Sequence, residues 1–149
     1  MMEPSSKATP DEIRKRIRSE HYRIAEQLAR VEALTDEASR GDPATIIALR
    51  QQLQTLGTTL HDHLHYEEYS LPSLTQHGKA ADEAAEMMRR EHQAQRELLD
   101  GVIHDLDETA VGEKLVVGVR ELARAIRDDM EHEERELLSK PQPAEEPRK

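Results

Sequence analysis

Histidines and carboxylates recur in this chain at spacings that would place them on different helices. Glu67 follows His63 by one helical turn, so both side chains would lie on one face. Imidazoles and carboxylates that are buried together are costly unless a cation neutralises and coordinates them. The pattern predicts a two-metal site inside a helical protein, and its four histidines lie in four separate segments: His21, His63, His92 and His132.

Four long segments with helical periodicity would position these residues. The first is predicted to begin at Pro10, because Thr9 can cap it and acidic residues follow in the first turn. Gly41, Asp42 and Pro43 would separate the first helix from the second. Pro72 would mark the end of the second helix, and the fourth would begin after Thr109.

The second half of the chain repeats the pattern of the first. A shift of about 71 residues superposes the stripe of helix 1 on that of helix 3, and a shift of about 66 superposes helix 2 on helix 4. Under these shifts His21 pairs with His92, His63 with Asp129, and Glu67 with Glu133. The repeat predicts an all-α, up-down-up-down antiparallel four-helix bundle with an internal two-hairpin pseudo-symmetry.

Composition excludes several classes of protein. The chain has 149 residues, 36% hydrophobic and 35% charged, and is expected to form one domain with a real core. A net charge of −10 disfavours nucleic acid and membrane surfaces as partners. The absence of cysteine removes disulfides, thiolate metal sites and thiol catalysis.

The ends of the chain differ in composition from its middle. We expect the bundle to occupy residues 9–140, between polar flanks at 1–8 and 141–149 that are predicted to be disordered. The start of the chain lacks the basic and apolar stretches of a secretory signal, which predicts a cytoplasmic protein. A monomer or a weak homodimer is expected.

Four segments in order resemble the hemerythrin-like (HHE) cation-binding family over roughly residues 9–140: SEHYRIAEQL, HLHYEEYSLP, RREHQAQ and DMEHEERELL. The resemblance implies a four-helix bundle that holds two non-haem iron ions, with an oxo or hydroxo bridge between them as an option; manganese and zinc remain alternatives. It also implies dioxygen or peroxide as a small ligand. Carried over, His21, His63, Glu67 and His92 are expected metal ligands, with Glu67 able to bridge both ions.

Helix 4 allows two alignments with that family. His132 and Glu136 match the family motif literally, whereas the internal repeat selects Asp129 and Glu133. At ~100° per residue, Glu133 lies within ~40° of the apolar stripe and His132 and Glu136 lie ~80–120° away from its centre. We favour Asp129 and Glu133, which gives three imidazoles and three carboxylates, an oxygen-rich set that suits oxidised iron or manganese.

Helix 3 also departs from the oxygen-carrying members of the family, which have two histidines four residues apart there. Met88 and Arg96 stand on either side of His92 at that spacing, so one ligand position would be open to water, dioxygen or peroxide. Iron sensing or redox handling is therefore favoured over reversible carriage of dioxygen or nitric oxide. A peroxide-disproportionating or ferroxidase-like enzyme and a metal-free structural or interaction bundle remain alternatives.

Overall fold

The computed structural model describes residues 8–41, 43–74, 78–108 and 112–138. Within these ranges the chain forms no strand and four long helices: α1 (Pro10–Ser39), α2 (Pro43–Ser70), α3 (Lys79–Glu108) and α4 (Glu113–Glu133). A 3-10 turn, Leu71–Leu74, follows α2, and a π-helical turn, Glu134–Leu138, follows α4. No helix in these ranges is both long and apolar enough to span a lipid bilayer.

The first helix begins where its capping residues predict. The Thr9 hydroxyl accepts a hydrogen bond from the Glu12 backbone N–H at 3.1 Å, and the Glu12 carboxylate accepts one from the Thr9 N–H at 2.8 Å. This reciprocal pair satisfies two amide groups that the first turn leaves unpaired. Gly41, with a φ of 94°, follows α1 in the left-handed region that favours glycine. The expected breakers Asp42 and Thr109 lie outside the described residues, as do the predicted disordered flanks except Ala8.

Cross-helix contacts show that neighbouring helices are antiparallel. Arg18 of α1 bonds the Leu138 carbonyl, and Glu32 further along α1 bonds Arg127, so residue numbers rise on α1 as they fall on its neighbour. The same inverse order relates α1 to α2, α2 to α3, and α3 to α4. Extensive packing joins α1 and α3 each to both α2 and α4. The predicted antiparallel four-helix bundle is confirmed.

Two apolar clusters divide the interior of the bundle. The larger one is built by all four helices and contains leucines and isoleucines that are fully buried, such as Leu53, Leu56 and Leu122. The smaller one lies at the end of the bundle where α1 begins and α2 and α4 finish, and consists of Ile13, Ile17, Leu71 and Leu138, with Tyr66, Leu74 and Met88 packed against it. On each helix a buried histidine or carboxylate lies in sequence between residues of the two clusters: His21 on α1, Glu67 on α2, His92 on α3, and Asp129 and Glu133 on α4.

The π-helical turn extends α4 into the smaller cluster. It places Leu138, five residues after Glu133, in the core with 1% of its surface exposed. Such turns widen a helix by one residue and are frequent at functional sites. The turn also places the Glu134 carboxylate 2.7 Å from the Nδ1 atom of His21 on α1.

Candidate metal centre

Three imidazoles and three carboxylates converge in the layer between the two clusters. They come from all four helices, and each keeps at most 8% of its surface exposed. The structure brings together six of the residues that the sequence singled out: His21, His63, Glu67, His92, Asp129 and Glu133.

The first group of possible ligand atoms joins α1, α2 and α4. The His21 Nε2 atom lies 3.2 Å from Glu67 Oε2 and 3.1 Å from Glu133 Oε1. The His63 Nε2 atom lies 2.8 Å from the same Glu67 Oε2. All four ligand atoms lie within 4.8 Å of one another, close enough to share one cation.

The second group joins α2, α3 and α4. The His92 Nε2 atom lies 3.2 Å from Glu67 Oε1, 3.4 Å from Asp129 Oδ2 and 3.5 Å from Glu133 Oε2. These four atoms also lie within 4.8 Å of one another. The second group therefore offers one imidazole and three carboxylates, where the first offers two of each.

Both glutamates belong to both groups. Glu67 turns Oε2 to the first group and Oε1 to the second, and Glu133 turns Oε1 to the first and Oε2 to the second. Each carboxylate can therefore hold two adjacent cations, one on each oxygen. The family resemblance implied a bridging role for Glu67, and in the structure Glu133 faces both groups in the same way.

Three atoms at the meeting point of the groups are buried and make no hydrogen bond: Glu67 Oε1, His92 Nε2 and Glu133 Oε2. Unpaired polar atoms in a core are costly, and nearly all buried polar groups have a partner. A cation would satisfy all three at once. Imidazole nitrogen with carboxylate oxygen is a donor set suited to iron, manganese or zinc.

Each imidazole is held from behind by a carboxylate that the sequence did not single out. The Nδ1 atom of His21 lies 2.7 Å from Glu134, that of His63 lies 2.7 Å from Glu20, and that of His92 lies 2.9 Å from Glu68. An Nδ1–H that donates to such a carboxylate leaves the Nε2 lone pair directed at a metal. With a metal bound, each of the three histidines would keep its remaining proton on Nδ1 and present Nε2 as the ligand atom.

An arginine contacts each of these outer carboxylates in turn. Arg16 lies 2.8 Å from Glu20, Arg96 lies 3.1 Å from Glu68, and Arg18 lies 3.8 Å from Glu134. The guanidinium groups help to orient the carboxylates. Each outer glutamate is next in sequence to one of the six converging residues: Glu20 to His21, Glu68 to Glu67, and Glu134 to Glu133. Each contacts a histidine of an adjacent helix. Its position next to a candidate ligand is the signal in the sequence that could have identified it.

Gln95 positions the one aspartate of the centre. Its side-chain amide donates to Asp129 Oδ2 at 2.7 Å, and both side chains are buried. Gln95 occupies the position that corresponds to Ile24 in the first half of the repeat. In the second half of the repeat, Gln95 thus replaces an isoleucine, and its partner Asp129 replaces a histidine, His63.

The carboxylates make the imidazoles strong bases. Burial alone would lower the pKa of His21, but Glu133, Glu67 and Glu134 raise it to about 10. In the same way the pKa of His63 is raised to about 9 and that of His92 to about 12 against the effect of burial. Protons would therefore occupy the imidazoles whenever no cation does.

The two glutamates that face both groups differ in the direction in which their pKa values are shifted. Burial raises the pKa of Glu133 to about 8, although His21 and His92 act in the opposite direction. Burial also acts to raise the pKa of Glu67, but its contacts with His21, His63 and His92 hold that pKa well below the usual value. The pair keeps one charge more readily than two, as expected for like charges at close range.

The alternative pair on helix 4 lies away from these groups. His132 and Glu136 are exposed and belong to neither group. They line the wall of a surface cavity instead. The reason is helical geometry, because one residue of rotation from Glu133 turns His132 by ~100° away from the core.

Replacement of an outer carboxylate is expected to weaken cation binding without removing a ligand. Glu20→Gln removes the charge that orients His63, so we expect the affinity for a divalent cation to fall by ~10–100-fold. The measurement is a competition titration of ferrous iron or zinc against a coloured chelator.

Glu26→Gln is the matched control for this prediction, since Glu26 is an exposed glutamate on the same helix. The control is expected to bind as the unchanged protein does. Equal affinity in the two variants would contradict the positioning role of Glu20.

Comparison with known proteins agrees with this geometry. The family model described as the hemerythrin HHE cation-binding domain matches residues 12–140. No curated protein and no solved structure matches the chain. The matched range includes all six converging residues. The chain therefore belongs to the hemerythrin HHE cation-binding family.

Proposed function

We propose that the bundle holds two non-haem iron ions and that the centre reacts with dioxygen or peroxide, as a redox or sensing protein. The observation that carries this proposal is the pair of carboxylates, Glu67 and Glu133, that each face both groups of ligands. A single cation in either group would contact only the oxygen of each glutamate that faces that group. Two cations would use all four.

The choice of iron rests on the donor set and on the family. Three imidazoles and three carboxylates give mixed nitrogen and oxygen ligation, which suits iron and manganese better than soft metals. The family model is that of a cation-binding domain. Iron, when bound, would supply the electrons and the open coordination positions for an oxygen ligand.

The residues around the centre control what reaches it. His92 is the single imidazole of the second group, so this side has the larger share of oxygen ligands. A cavity ends at Asp129 and Glu133, which gives a small molecule a route to that side. Ile13 and Ile17, which precede His21 on α1, are buried in the smaller cluster.

The test is to load the protein with ferrous iron without oxygen, count the ions per chain, and add dioxygen or peroxide in separate samples. We expect two ions per chain. After dioxygen or peroxide is added, we expect an absorption change that returns to its starting value slowly, or as the added oxidant is turned over. Zinc-loaded protein is the control and should show no change. A band that reverses fully on deoxygenation would favour carriage instead, and one ion per chain would contradict the two-cation centre.

A further inference from the structure

A cavity of about 320 Å³ opens between the first half of α3 and the end of α4. Most of its wall is apolar, with Leu71, Ala81, Ala84, Ala85 and Met88 among the lining residues, and the buried carboxylates Asp129 and Glu133 also line it. Small-molecule sites in proteins have volumes of ~300–1,000 Å³. The cavity is therefore large enough for an organic molecule and much larger than a diatomic ligand requires.

The corresponding space in the first half of the repeat is filled. The 71-residue shift pairs Ala84 with Ile13 and Met88 with Ile17, and both isoleucines are buried in the smaller cluster. The 66-residue shift pairs His132 with Tyr66, which packs on that cluster with the Arg16 guanidinium 3.7 Å above its ring.

At both Ala84 and Met88, the second half carries a smaller or more flexible side chain than the first. An alanine at position 84 leaves out three carbon atoms that the isoleucine at position 13 supplies. Met88 replaces a branched side chain by a flexible one, which can adapt to a bound molecule. The same half supplies His92, the single imidazole of the second ligand group.

The inner end of the cavity is polar and the outer end carries negative charge. Glu133, which lines the cavity, has a buried Oε2 atom without a hydrogen bond. Glu91, His132 and Glu136 lie on the same lining, and all three are exposed. A negatively charged head group would meet like charges here, whereas a neutral one would not.

We propose that this cavity binds a small organic molecule with an apolar body and a neutral hydroxyl or hydroperoxide head, and that the head lies beside Asp129 and Glu133. The inference rests on the proposed function in one respect, since a hydroperoxide bound in this way would reach the second cation position. Binding of the apolar body depends on the cavity alone. Ala84 and Met88 set the size of the molecule that fits.

The test is a titration of the full chain, metal-free and zinc-loaded, with n-hexanol. Methyl-labelled methionine gives the readout by nuclear magnetic resonance, because Met88 lines the cavity and Met130 packs against the larger cluster. We expect a saturable shift of the Met88 signal and no shift at Met130. Hexanoate should bind at least about tenfold more weakly to the metal-free protein, because its charge meets the acidic lining.

Ala84→Ile restores the residue of the first half and should weaken hexanol binding by at least about tenfold, since three added carbons fill the space. Ala94→Ile, an exposed position on the same helix, is the matched control and should bind normally. Ala85→Leu provides a second variant that fills the cavity, and circular dichroism verifies the fold of each.

An unmoved Met88 signal, or equal binding by Ala84→Ile and the unchanged protein, would overturn the proposal. Equal binding of hexanoate and hexanol would overturn the neutral head. None of these measurements uses iron, so a centre that fails to react with peroxide leaves the cavity result intact, and the reverse is also true.

Discussion

Removal of the bound cations is expected to lower the melting temperature of the protein, and the loss should grow as the pH rises. A ligand at 100 times its dissociation constant stabilises the folded state by about 2.7 kcal/mol, which is on the order of 10 °C for a domain of this size. The metal-free protein lacks this stabilisation at a place where two carboxylates, Glu67 and Glu133, are buried in the same two groups and repel each other when both are ionised. Ferrous iron should restore the higher melting temperature after chelation.

The direction of the pH effect follows from the groups that would hold protons in place of cations. The pKa values of His21, His63 and His92 are raised to about 10, 9 and 12, above the ordinary value of 6.5. Their stabilisation of the metal-free protein is complete below pH 6.5 and is lost as the pH rises through those values. Glu133, with its pKa raised to about 8 from 4.5, acts in the same direction.

Glu67 has the opposite effect, because its pKa is lowered. Its contribution is present above pH 4.5 and is lost in acid. The stabilisation by Glu133 is complete only below pH 4.5 and decreases above it, so the metal-free protein should be most stable near pH 4.5 and lose stability as the pH rises further. Cations bind unprotonated imidazoles, so the difference in stability between the metal-bound and the metal-free protein should increase as the pH rises.

The measurement is a series of thermal melts at different pH values, with and without a chelator. Calorimetry in buffers of different ionisation enthalpy should also show protons released on cation binding. Melting curves that coincide at every pH would indicate a plain helical bundle. A difference that stays constant with pH would contradict protonated imidazoles in the metal-free state.

Much of the centre was predictable because burial and ligation follow the same helical period. His21, His63 and His92 lie on apolar stripes, and a residue on such a stripe must face the core. The internal repeat then selected Asp129 and Glu133, which the structure places in the core beside them. Whether these six residues bind cations stays a prediction until metal is measured.

Other features were beyond a single sequence for physical reasons. Periodicity identifies the face of a helix but not the atom on the neighbouring helix that a side chain will reach. The contacts of Glu20 with His63 and of Glu68 with His92 depend on the axial alignment of the helices. The π-helical turn and the cavity beside Ala84 depend on packing of several elements together.

Glu67→Gln is expected to have the largest effect on cation content of any single replacement. Among the residues that the structure describes, Glu67 alone contacts all three imidazoles, with Oε2 near His21 and His63 and Oε1 near His92. Glutamine keeps the shape but replaces one oxygen by an amide nitrogen that cannot ligate, and it removes a charge. We expect both cations to be lost, with affinity reduced by more than about 100-fold, beyond the effect of outer residues.

Elemental analysis of the purified variants gives the number of cations per chain and also decides between the two alignments of helix 4. Asp129→Asn should remove or weaken the cation of the second group, because Asp129 lies 3.4 Å from His92 Nε2 and belongs to that group alone. His132→Gln and Glu136→Gln are the controls and should keep two cations, since both residues are exposed. If His132→Gln lost a cation and Asp129→Asn kept both, the choice of Asp129 and Glu133 as ligands would be wrong. Helix 4 would then have to rotate about its axis on metal binding, by about 100° for each residue that separates the two alignments.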